Sequence, residues 1–460
     1  MAKLNDNSGA KVNPGMNFRK LITGERSRAI YLIILAISVS GLFKCAAFAR
    51  EAFIAARFGL TSVTDAYFAI QQLPLALATY VYGAFALAFV PAYIRSRDEK
   101  GAVSWLPGLV IWGTIGGLLL TAIMSGAQSL LVKSLHIQNS PDVRSTVVLL
   151  SFCFVPILLT GLWMSICTSR GKNLWAVSMT GFPYLLMTVA LLGLYEVHRL
   201  NNLSLPLSMT LGFLIVGIYS LIRIVFSQPL SWPKIAIWRD SNFRAFIRQL
   251  GASSAENLGY TGNQFLIIYF LSLSGTGIIS ANTCAMRIAM LSFTLLGMPL
   301  GQLVQAKLAV ASLQDRPVVF RRWLLRVVAL LIPSAAVLIA LRYTLIRLVY
   351  MHGKFQAAEM HVVASLLPAW VIYVVVISIN SALARYLFIL NRGTTYLRQQ
   401  LIAYAAANLL RIVIVGHGRA DWVIWSSVAA EGCSMLLNLR ACLSDTRNRN
   451  AEPAVQLEVA

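Results

Sequence analysis

Long apolar runs, separated by short polar segments, dominate the chain. A membrane-spanning helix needs about 20 mostly apolar residues, and runs of that length predict twelve spans. The predicted spans are Ala29–Phe48, Asp65–Tyr93, Val103–Ala127, Ser145–Thr168, Leu174–Tyr195, Leu205–Phe226, Gly251–Leu273, Thr276–Leu308, Trp323–Tyr350, Val362–Leu390, Leu401–Val415 and Trp422–Cys442. The seventh and eleventh carry polar residues in their middle and are the weakest of the series. The pattern therefore predicts an all-α polytopic membrane protein.

The longest polar interruption, residues 227–248, separates the first six spans from the last six. It predicts an N-terminal lobe over residues 29–226 and a C-terminal lobe over residues 249–444, joined by a cytoplasmic linker. Tails remain at each end, over residues 1–28 and 445–460. Two six-helix lobes are typical of transporters built from repeats, so we expect them to enclose a central cavity.

The charges are consistent with a membrane protein and indicate its orientation. Of the 460 residues, 58% are hydrophobic and 12% charged, which excludes a water-soluble globular protein. A net charge of +22 would suggest nucleic acid in a soluble protein, but here the positive residues flank the spans. With the N-terminus inside, 27 of the 39 Lys and Arg residues fall on the cytoplasmic side and 10 outside. This asymmetry predicts that both termini are cytoplasmic, and we expect no nucleic-acid partner.

Two cations stand out because they lie inside predicted spans. Each ionisable group at membrane depth costs about 2.5–3.5 kcal/mol unless it faces water or a partner. Lys44 in the first span and Arg287 in the eighth have no acidic residue within one helical turn of their own span. If both face the shared cavity, they suit an anionic ligand such as a diphosphate, since Arg and Lys bind phosphate oxygens.

The other charged residues near the spans have simpler interpretations. Around the first outer loop, Arg50 and Arg57 are either ordinary loop cations or partners of Glu51 and Asp65. In the second half of the chain, Glu256 could form a structural bridge with Arg411. Alternatively, Arg385 and Arg411 lie near the interface and extend their charges to water.

The sequence contains no arrangement that indicates catalysis or a cofactor. There is no phosphate-binding loop of the Walker type, and the histidines lack zinc-ligand spacing. We therefore expect a protein that is not an enzyme and that binds no cofactor. An ion gradient (Na⁺ or H⁺), the membrane potential or consumption of the cargo would supply the energy.

Several motifs resemble the lipid II flippases of the MurJ/MviN family. In the first 95 residues they are Phe48–Gly59, Thr64–Ala69, Leu73-Pro74, Gly83–Phe85 and Ala88–Pro91. Further along they are Arg287 with Leu296–Gly301, Tyr350 with Gly353–Phe355, and Ala384–Leu387 with Asn391-Arg392. The resemblance covers nearly the whole chain, and its opening motif is specific.

The resemblance implies a V-shaped flippase of the bacterial inner membrane with a cationic cavity. Such proteins move an undecaprenyl-diphosphate-linked glycan from the inner to the outer leaflet by alternating access. Carried over by position, Lys44, Arg50 and Arg287 fall on cavity cations that would hold the diphosphate. Asp65 falls on a matching Asp, and with Arg57 we expect it to help gate the outer loop.

The resemblance also implies an ion-binding region between the seventh and eleventh spans. Glu256 and Asn408 are the residues of this chain that we expect to take part in such coupling. Membrane lipids and enzymes that synthesise or polymerise the glycan are the expected partners.

Some family features are absent, and they bear on the cargo. The arginines after Leu-Pro are missing, Tyr82 replaces a Glu, and Met290 replaces an acidic residue. The last two of the family's typical fourteen spans have no counterpart. The cargo is therefore either the peptidoglycan precursor lipid II or a surface or exopolysaccharide repeat unit, and these differences favour the second.

Three other functions remain open at this point. An ion-coupled drug exporter of the same superfamily would suit an acidic cavity better than a positive one. A membrane-embedded transferase would need an acid–base pair, for which Glu256 and Glu431 are the available couple. A scaffold that recruits synthesis enzymes would tolerate the loss of Lys44 and Arg287, whereas a flippase would not.

Overall fold

The computed structural model describes residues 18–100, 103–137, 139–196, 201–227, 240–292, 315–390, 392–415 and 419–451. In these ranges every regular element is a helix. Before the predicted linker they are α1 (Phe18–Phe58), α2 (Ser62–Ile70), α3 (Gln72–Tyr80), α4 (Ala86–Lys100), α5 (Leu106–Gly126), α6 (Gln128–Ser134), α7 (Pro141–Ser151), α8 (Phe154–Ser169), α9 (Asn173–Tyr195) and α10 (Ser204–Ser227). After it they are α11 (Ser241–Ser272), α12 (Ile278–Ser292), α13 (Arg316–Ala340), α14 (Arg342–Tyr350), α15 (Ala357–Ile389), α16 (Gly393–Val415) and α17 (Ala420–Ala451).

Within the described residues, each predicted span lies on one or more helices, and the all-helical multi-span fold is confirmed. Among the described residues, six segments are long and apolar enough by themselves to cross a membrane: Leu106–Gly126, Pro141–Ser169, Leu174–Tyr195, Ser204–Ser227, Arg316–Ala340 and Ala357–Phe388. A seventh results if Ser62–Gly83 and Ala88–Asp98, which meet at 42°, form one bent span. Residues 293–314, which include the second part of the eighth predicted span, lie outside the described residues.

The first helix extends further than its apolar run predicts. It continues for ten residues beyond Phe48, the predicted end of the span, because residues such as Ile54 and Phe58 are buried in the core. Arg50 and Glu51 therefore lie on a packed helix. The interpretation of Arg50 as a loop cation is wrong for this reason.

The seventh predicted span also begins earlier than expected, inside the predicted linker. The Asp240 carboxylate caps α11 by accepting hydrogen bonds from the backbone N–H groups of Asn242 (2.9 Å) and Phe243 (3.3 Å). Carboxylates favour this position because the first N–H groups of a helix lack partners within it. Residues 228–239 of the linker lie outside the described residues.

The helices form two bundles. In the first, α8 packs against α4, α5, α9 and α10, and α9 also packs against α1. In the second, α15 packs against α12, α13 and α17, and α16 lies against α17. Helix α11 contacts both bundles, through α4 on one side and through α16 and α17 on the other. Side chains on α11 and α12 can therefore meet residues of either bundle.

We call the end of the molecule with the predicted outer loops the outer end, and the opposite one the inner end. At the inner end, aromatic residues of α11 pack into the first bundle. The rings of Phe246 and Trp105 stack with centroids 5.7 Å apart, and Phe89 meets Phe246 edge-on at 6.2 Å. Further along α11, the hydroxyl groups of Ser254 and Tyr80 form a hydrogen bond of 2.8 Å. The two bundles are thus in contact at the inner end.

Candidate functional site

Three charged side chains meet where α1 of the first bundle faces α12 of the second, and Lys44 lies within electrostatic range of two of them. We call Lys44, Arg50, Glu51 and Arg287 the central ion cluster. The Nε atom of Arg287 lies 2.9 Å from Oε1 of Glu51, and Nη2 of Arg50 lies 3.5 Å from the same oxygen. One carboxylate is therefore shared by two guanidinium groups from different bundles. Three cations and one carboxylate leave an excess of positive charge.

The cluster is open on the side of Lys44 and Arg287. The Arg287 side chain keeps 29% of its surface exposed, whereas that of Glu51 keeps 2%. Lys44 is exposed and lies close enough to Arg287 and Glu51 for electrostatic interaction. The structure places Lys44 within electrostatic range of Arg287 and gives Arg287 an acidic partner on α1. Binding of a diphosphate by the two cations stays a prediction.

Arg50 belongs to the same cluster but is enclosed. It is 1% exposed, and its Nη1 atom lies 2.8 Å from the sulfur of Met187 on α9. In this conformation its guanidinium has no open surface to offer an anion. Its assignment to the diphosphate stays a prediction that requires a rearrangement of α1 or α9.

At the outer end, Asp65 of α2 caps a helix of the second bundle. Its carboxylate accepts hydrogen bonds from the backbone N–H groups of Gly277 (2.5 Å) and Ser280 (2.7 Å), and from the Ser280 hydroxyl (2.6 Å). These groups lie at the beginning of α12, where an anionic side chain also complements the helix dipole. We call this contact the outer latch.

A second contact at the outer end involves Glu359, which the sequence did not indicate. Its carboxylate accepts hydrogen bonds from the backbone N–H of Leu60 (3.0 Å) and from that of Gln356 (2.9 Å). Nearby, the backbone N–H of Lys354 donates to the carbonyl of Ala56 at 2.7 Å. The turn after α1 is therefore held by the beginning of α15, and the outer end is closed by polar contacts.

Arg57 takes no part in the outer latch. It is exposed, and its guanidinium lies over the rings of Phe53 (5.8 Å) and Tyr195 (5.2 Å). Its proposed pairing with Asp65 is wrong, because the Asp65 carboxylate is occupied by the beginning of α12. A gating role of Arg57 stays a prediction.

A further group of polar side chains lies inside the second bundle, around Arg411. Arg411 is fully buried, so the interpretation that it extends to the interface is wrong. Its guanidinium donates to the oxygen atoms of Asn263 (2.8 Å), Asn408, Ser426 (3.0 Å), Ser427 and the carbonyl of Val423 (3.5 Å). We call these six residues the Arg411 cluster; it joins α11, α16 and α17.

The Arg411 cluster contains one of the two residues assigned to ion coupling. The side-chain oxygen of Asn408 is occupied by Arg411. The other residue, Glu256, lies on α11, but its side chain is outside the described part of the chain, and so is its suggested bridge to Arg411. The polar residues noted in the seventh and eleventh spans were the available signal for this cluster. The pattern of polar and apolar residues could not indicate which of these side chains contact each other.

Comparison with known proteins identifies similarities in both sequence and fold. The family model described as "Lipid II flippase MurJ" matches residues 54–419. A probable lipid II flippase MurJ of Aquifex aeolicus is 25% identical over 355 residues, which cover 75% of this chain and 68% of that protein.

Two solved structures share the fold at lower identity. A lipid II flippase MurJ in an inward closed conformation has a TM-score of 0.77 and 19% identity over 89% of this chain and 87% of the other. A multidrug resistance MATE family transporter in an inward-facing conformation has a TM-score of 0.72 and 13% identity, covering 92% and 99% of the two chains.

Proposed function

The chain belongs to the lipid II flippase MurJ family, and we propose that it moves an undecaprenyl-diphosphate-linked glycan from the inner to the outer leaflet by alternating access. Members of this family are multi-pass proteins of the bacterial inner membrane that carry out transport. The observation that carries the proposal is the central ion cluster, in which cations from both bundles, the enclosed Arg50 and the partly open Arg287, share one carboxylate.

The first step of the proposed cycle is capture of the diphosphate from the inner side. Lys44 and Arg287 are the cluster cations with open surface, and they bind the phosphate oxygens. The guanidinium supplies paired N–H donors and the ammonium a point charge. Because the cluster has more positive than negative groups, an anion enters a favourable field.

The second step couples cargo binding to the outer end. The diphosphate takes the place of the Glu51 carboxylate beside Arg287 and so releases the pair that joins α1 to α12. The outer latch, where Asp65 caps α12, acts on the same helix. A shift of α12 on loading therefore changes both contacts, and two alternative arrangements of one helix are what a gate requires.

The predicted orientation, with both termini cytoplasmic, gives this cycle its direction. The cargo enters from the cytoplasmic leaflet, where lipid-linked glycans are completed. Membrane lipids surround the protein, and enzymes that synthesise or polymerise the glycan are its proposed partners. Energy comes from an ion gradient, from the membrane potential or from consumption of the cargo outside. Tyr82 and Met290, where the family has acidic residues, favour a surface or exopolysaccharide repeat unit over lipid II.

The test combines depletion with a double substitution. When the protein is depleted in its host, mass spectrometry of lipid-linked intermediates should reveal a trapped cargo on the cytoplasmic side. A muropeptide on that lipid identifies lipid II, and an oligosaccharide without peptide identifies a surface glycan. Expression of Lys44→Ala/Arg287→Ala should leave the lipid trapped, with export lowered about 100-fold, since removing one charge-assisted hydrogen bond reduces binding about tenfold.

The matched control is Arg419→Ala, which removes an exposed outer cation that pairs with Asp421. This variant should restore export fully, and both variants should insert into the membrane at the wild-type level. Normal export by the Lys44/Arg287 double variant would show that these cations do not hold the cargo. If depletion traps no lipid, the flippase function itself is refuted.

The same experiment separates the alternatives. A scaffold tolerates the double substitution, because its role lies in the loops. A drug exporter accumulates no lipid, and its cationic substrates would meet an excess of positive charge at the centre. A transferase would need Glu431 as one of its acids, whereas both oxygens of that carboxylate are bonded to amides inside the second bundle.

A further inference from the structure

Within the central ion cluster, Glu51 occupies the place beside Arg287 that an anionic ligand would take. Its Oε1 atom lies 2.9 Å from Nε of Arg287, whose side chain is partly open. Glu51 itself is 2% exposed, so the protein carries its own anion at this position. A phosphate group that takes Arg287 in place of Glu51 releases the pair that joins α1 to α12.

The two arginines hold the Glu51 carboxylate in different ways. Nη2 of Arg50 donates a hydrogen bond to Oε1 at 3.5 Å. Nε of Arg287 is in ionic contact with the same oxygen, but it makes no hydrogen bond with any described residue. Oε2 of Glu51 is buried and likewise has no hydrogen-bond partner in the described part of the chain. The contact with Arg287 is therefore the more exchangeable one, because its loss breaks no hydrogen bond.

Arg50 keeps a cation beside Glu51 after such an exchange. It is 1% exposed, and its Nη1 atom lies 2.8 Å from the sulfur of Met187. A buried carboxylate that loses every cation is strongly destabilised, so Glu51 could not leave Arg287 if Arg50 were absent. Arg50 thus permits two arrangements: a paired one, in which both arginines share Glu51, and a released one, in which Glu51 stays with Arg50 alone.

The paired and released arrangements offer different numbers of cations to a ligand. Lys44 is exposed and forms no ion pair with a described residue, so it is open in both. Arg287 gives up its carboxylate only in the released arrangement. A ligand shifts such an equilibrium only as far as it binds one arrangement more tightly than the other. The number of negative charges on the ligand therefore decides whether it causes release.

A single phosphate and a diphosphate differ in this respect. A phosphodiester carries one negative charge, which Lys44 already balances in the paired arrangement. A diphosphate esterified at both ends carries two, and its second phosphate finds a cation, Arg287, only after release. Because charge-assisted hydrogen bonds to phosphate are strong, the diphosphate favours the released arrangement, whereas the single phosphate gains little from it.

We propose, building on the flippase function above, that Glu51 is a specificity-determining residue, which makes release of the pair between α1 and α12 conditional on a lipid with two linked phosphates. Phospholipids with one phosphate surround the protein in excess, and they can contact Lys44 without causing release. Discrimination thus comes from an internal competitor of the cargo as well as from attraction. With a neutral side chain at position 51, the released arrangement would form without cargo.

The test follows the beginning of α12, where the backbone N–H groups of Gly277 and Ser280 donate to Asp65 in the outer latch. Release that shifts α12 exposes these groups, and hydrogen exchange measured by mass spectrometry reports it. Purified full-length protein is mixed with one of two lipids at saturation. Both carry undecaprenol and N-acetylglucosamine, joined through two phosphates in one lipid and through one phosphate in the other.

In the wild type, the diphosphate lipid should raise the exchange rate at the beginning of α12 about tenfold, which corresponds to one additional charge-assisted contact. The single-phosphate lipid should leave the rate within about twofold of the lipid-free protein, since its charge is balanced in both arrangements. Asp98→Asn, which removes an exposed carboxyl group, is the matched control and should behave as wild type.

Two variants separate the competitor from the cations. In Glu51→Gln, exchange should be fast without lipid and equal with either lipid. Because this change also removes the ionic partner of Arg50, Lys44→Gln provides an independent test at an exposed position. Its exchange without lipid should equal that of wild type. The two lipids should then have equal effects, because each finds its one open cation, Arg287, only after release.

Two results would overturn the proposal. One is an equal response of the wild type to the two lipids, including no response to either. The other is a Glu51→Gln variant that still distinguishes them. The flippase function is decided separately, by the lipid that depletion traps in the host. A trapped lipid together with either result leaves the transport function in place and removes Glu51 as the residue that selects the cargo.

Discussion

Arg287 and Arg411 are both arginines in predicted spans of the C-terminal bundle, but their surroundings are opposite. Arg287 is partly open and shares a carboxylate with Arg50 across the boundary between the bundles. Arg411 is fully buried, and among the described residues its partners are neutral oxygens within its own bundle. The position of a charged residue within a predicted span therefore does not reveal its role. Its exposure and the nature of its partners in the structure reveal it.

The difference suggests that the two arginines have different functions. Arg411 ties three helices together with the five donors of its guanidinium, which suits a structural role. Arg287 can exchange Glu51 for another anion, which suits cargo binding. Glu431 is the third case, a buried carboxylate with amide partners and no described cation. It lies one helical turn from Ser427, a partner of Arg411, yet each charge keeps its own set of contacts.

The largest effect is expected from Arg411→Met. This change leaves several buried oxygen atoms without donors, and we expect the free energy of unfolding to fall by about 3–5 kcal/mol. Denaturation of the purified protein in mixed micelles measures it. Arg419→Met, at an exposed position, is the control. A stability equal to wild type would show that the Arg411 cluster does not hold the bundle together.

A smaller effect is expected from Arg287→Met, because Glu51 keeps Arg50 at 3.5 Å. The unfolding free energy should fall by about 2 kcal/mol, less than for a buried pair that loses its one partner. Adding Glu51→Gln leaves the enclosed Arg50 without its ionic partner, so the double variant should be less stable still, while export stays low. If the double variant is as stable as the single one, the shared carboxylate is not what holds the two arginines.

Lysine substitutions sharpen the contrast further. Arg411→Lys keeps the charge but supplies three donors in place of five, so we expect a loss of about 1–2 kcal/mol in unfolding free energy. Arg287→Lys should keep stability within about 0.5 kcal/mol and slow export about tenfold, because the paired donors for phosphate are removed. The reverse pattern, with stability lost at 287 and export lost at 411, would exchange the two roles.

A small effect on stability is expected from Arg57→Ala. The substitution removes the packing of this exposed guanidinium on two aromatic rings, for which about 0.5–1 kcal/mol is typical. Thermal unfolding measures the change, and export assays show whether the residue also gates. A fall in export at nearly unchanged stability would confirm the predicted gating role of Arg57. Wild-type export would remove it from the mechanism.

Much of the architecture could be predicted because apolar length is a local property. Among the described residues the predicted spans lie on helices, and Lys44 and Arg287 were recognisable as cations inside apolar runs. The groups that these charged residues contact could not be predicted from the sequence. Glu51 is a neighbour of Arg50 in the sequence, but its closer contact is Arg287, more than two hundred residues further on. Glu359 stood between two histidines without any signal of its contact with Leu60.

The sequence by itself determined that this is an all-helical, multi-span membrane protein with an excess of positive charge, since hydrophobic length and charge bias follow from neighbouring residues. It also carried the motifs of the family. Only the tertiary structure decided which charges are open, which are enclosed and which lack a partner. The physical reason is that the cost of a charge in a membrane depends on the groups around it, and here those groups come from helices far apart in the chain.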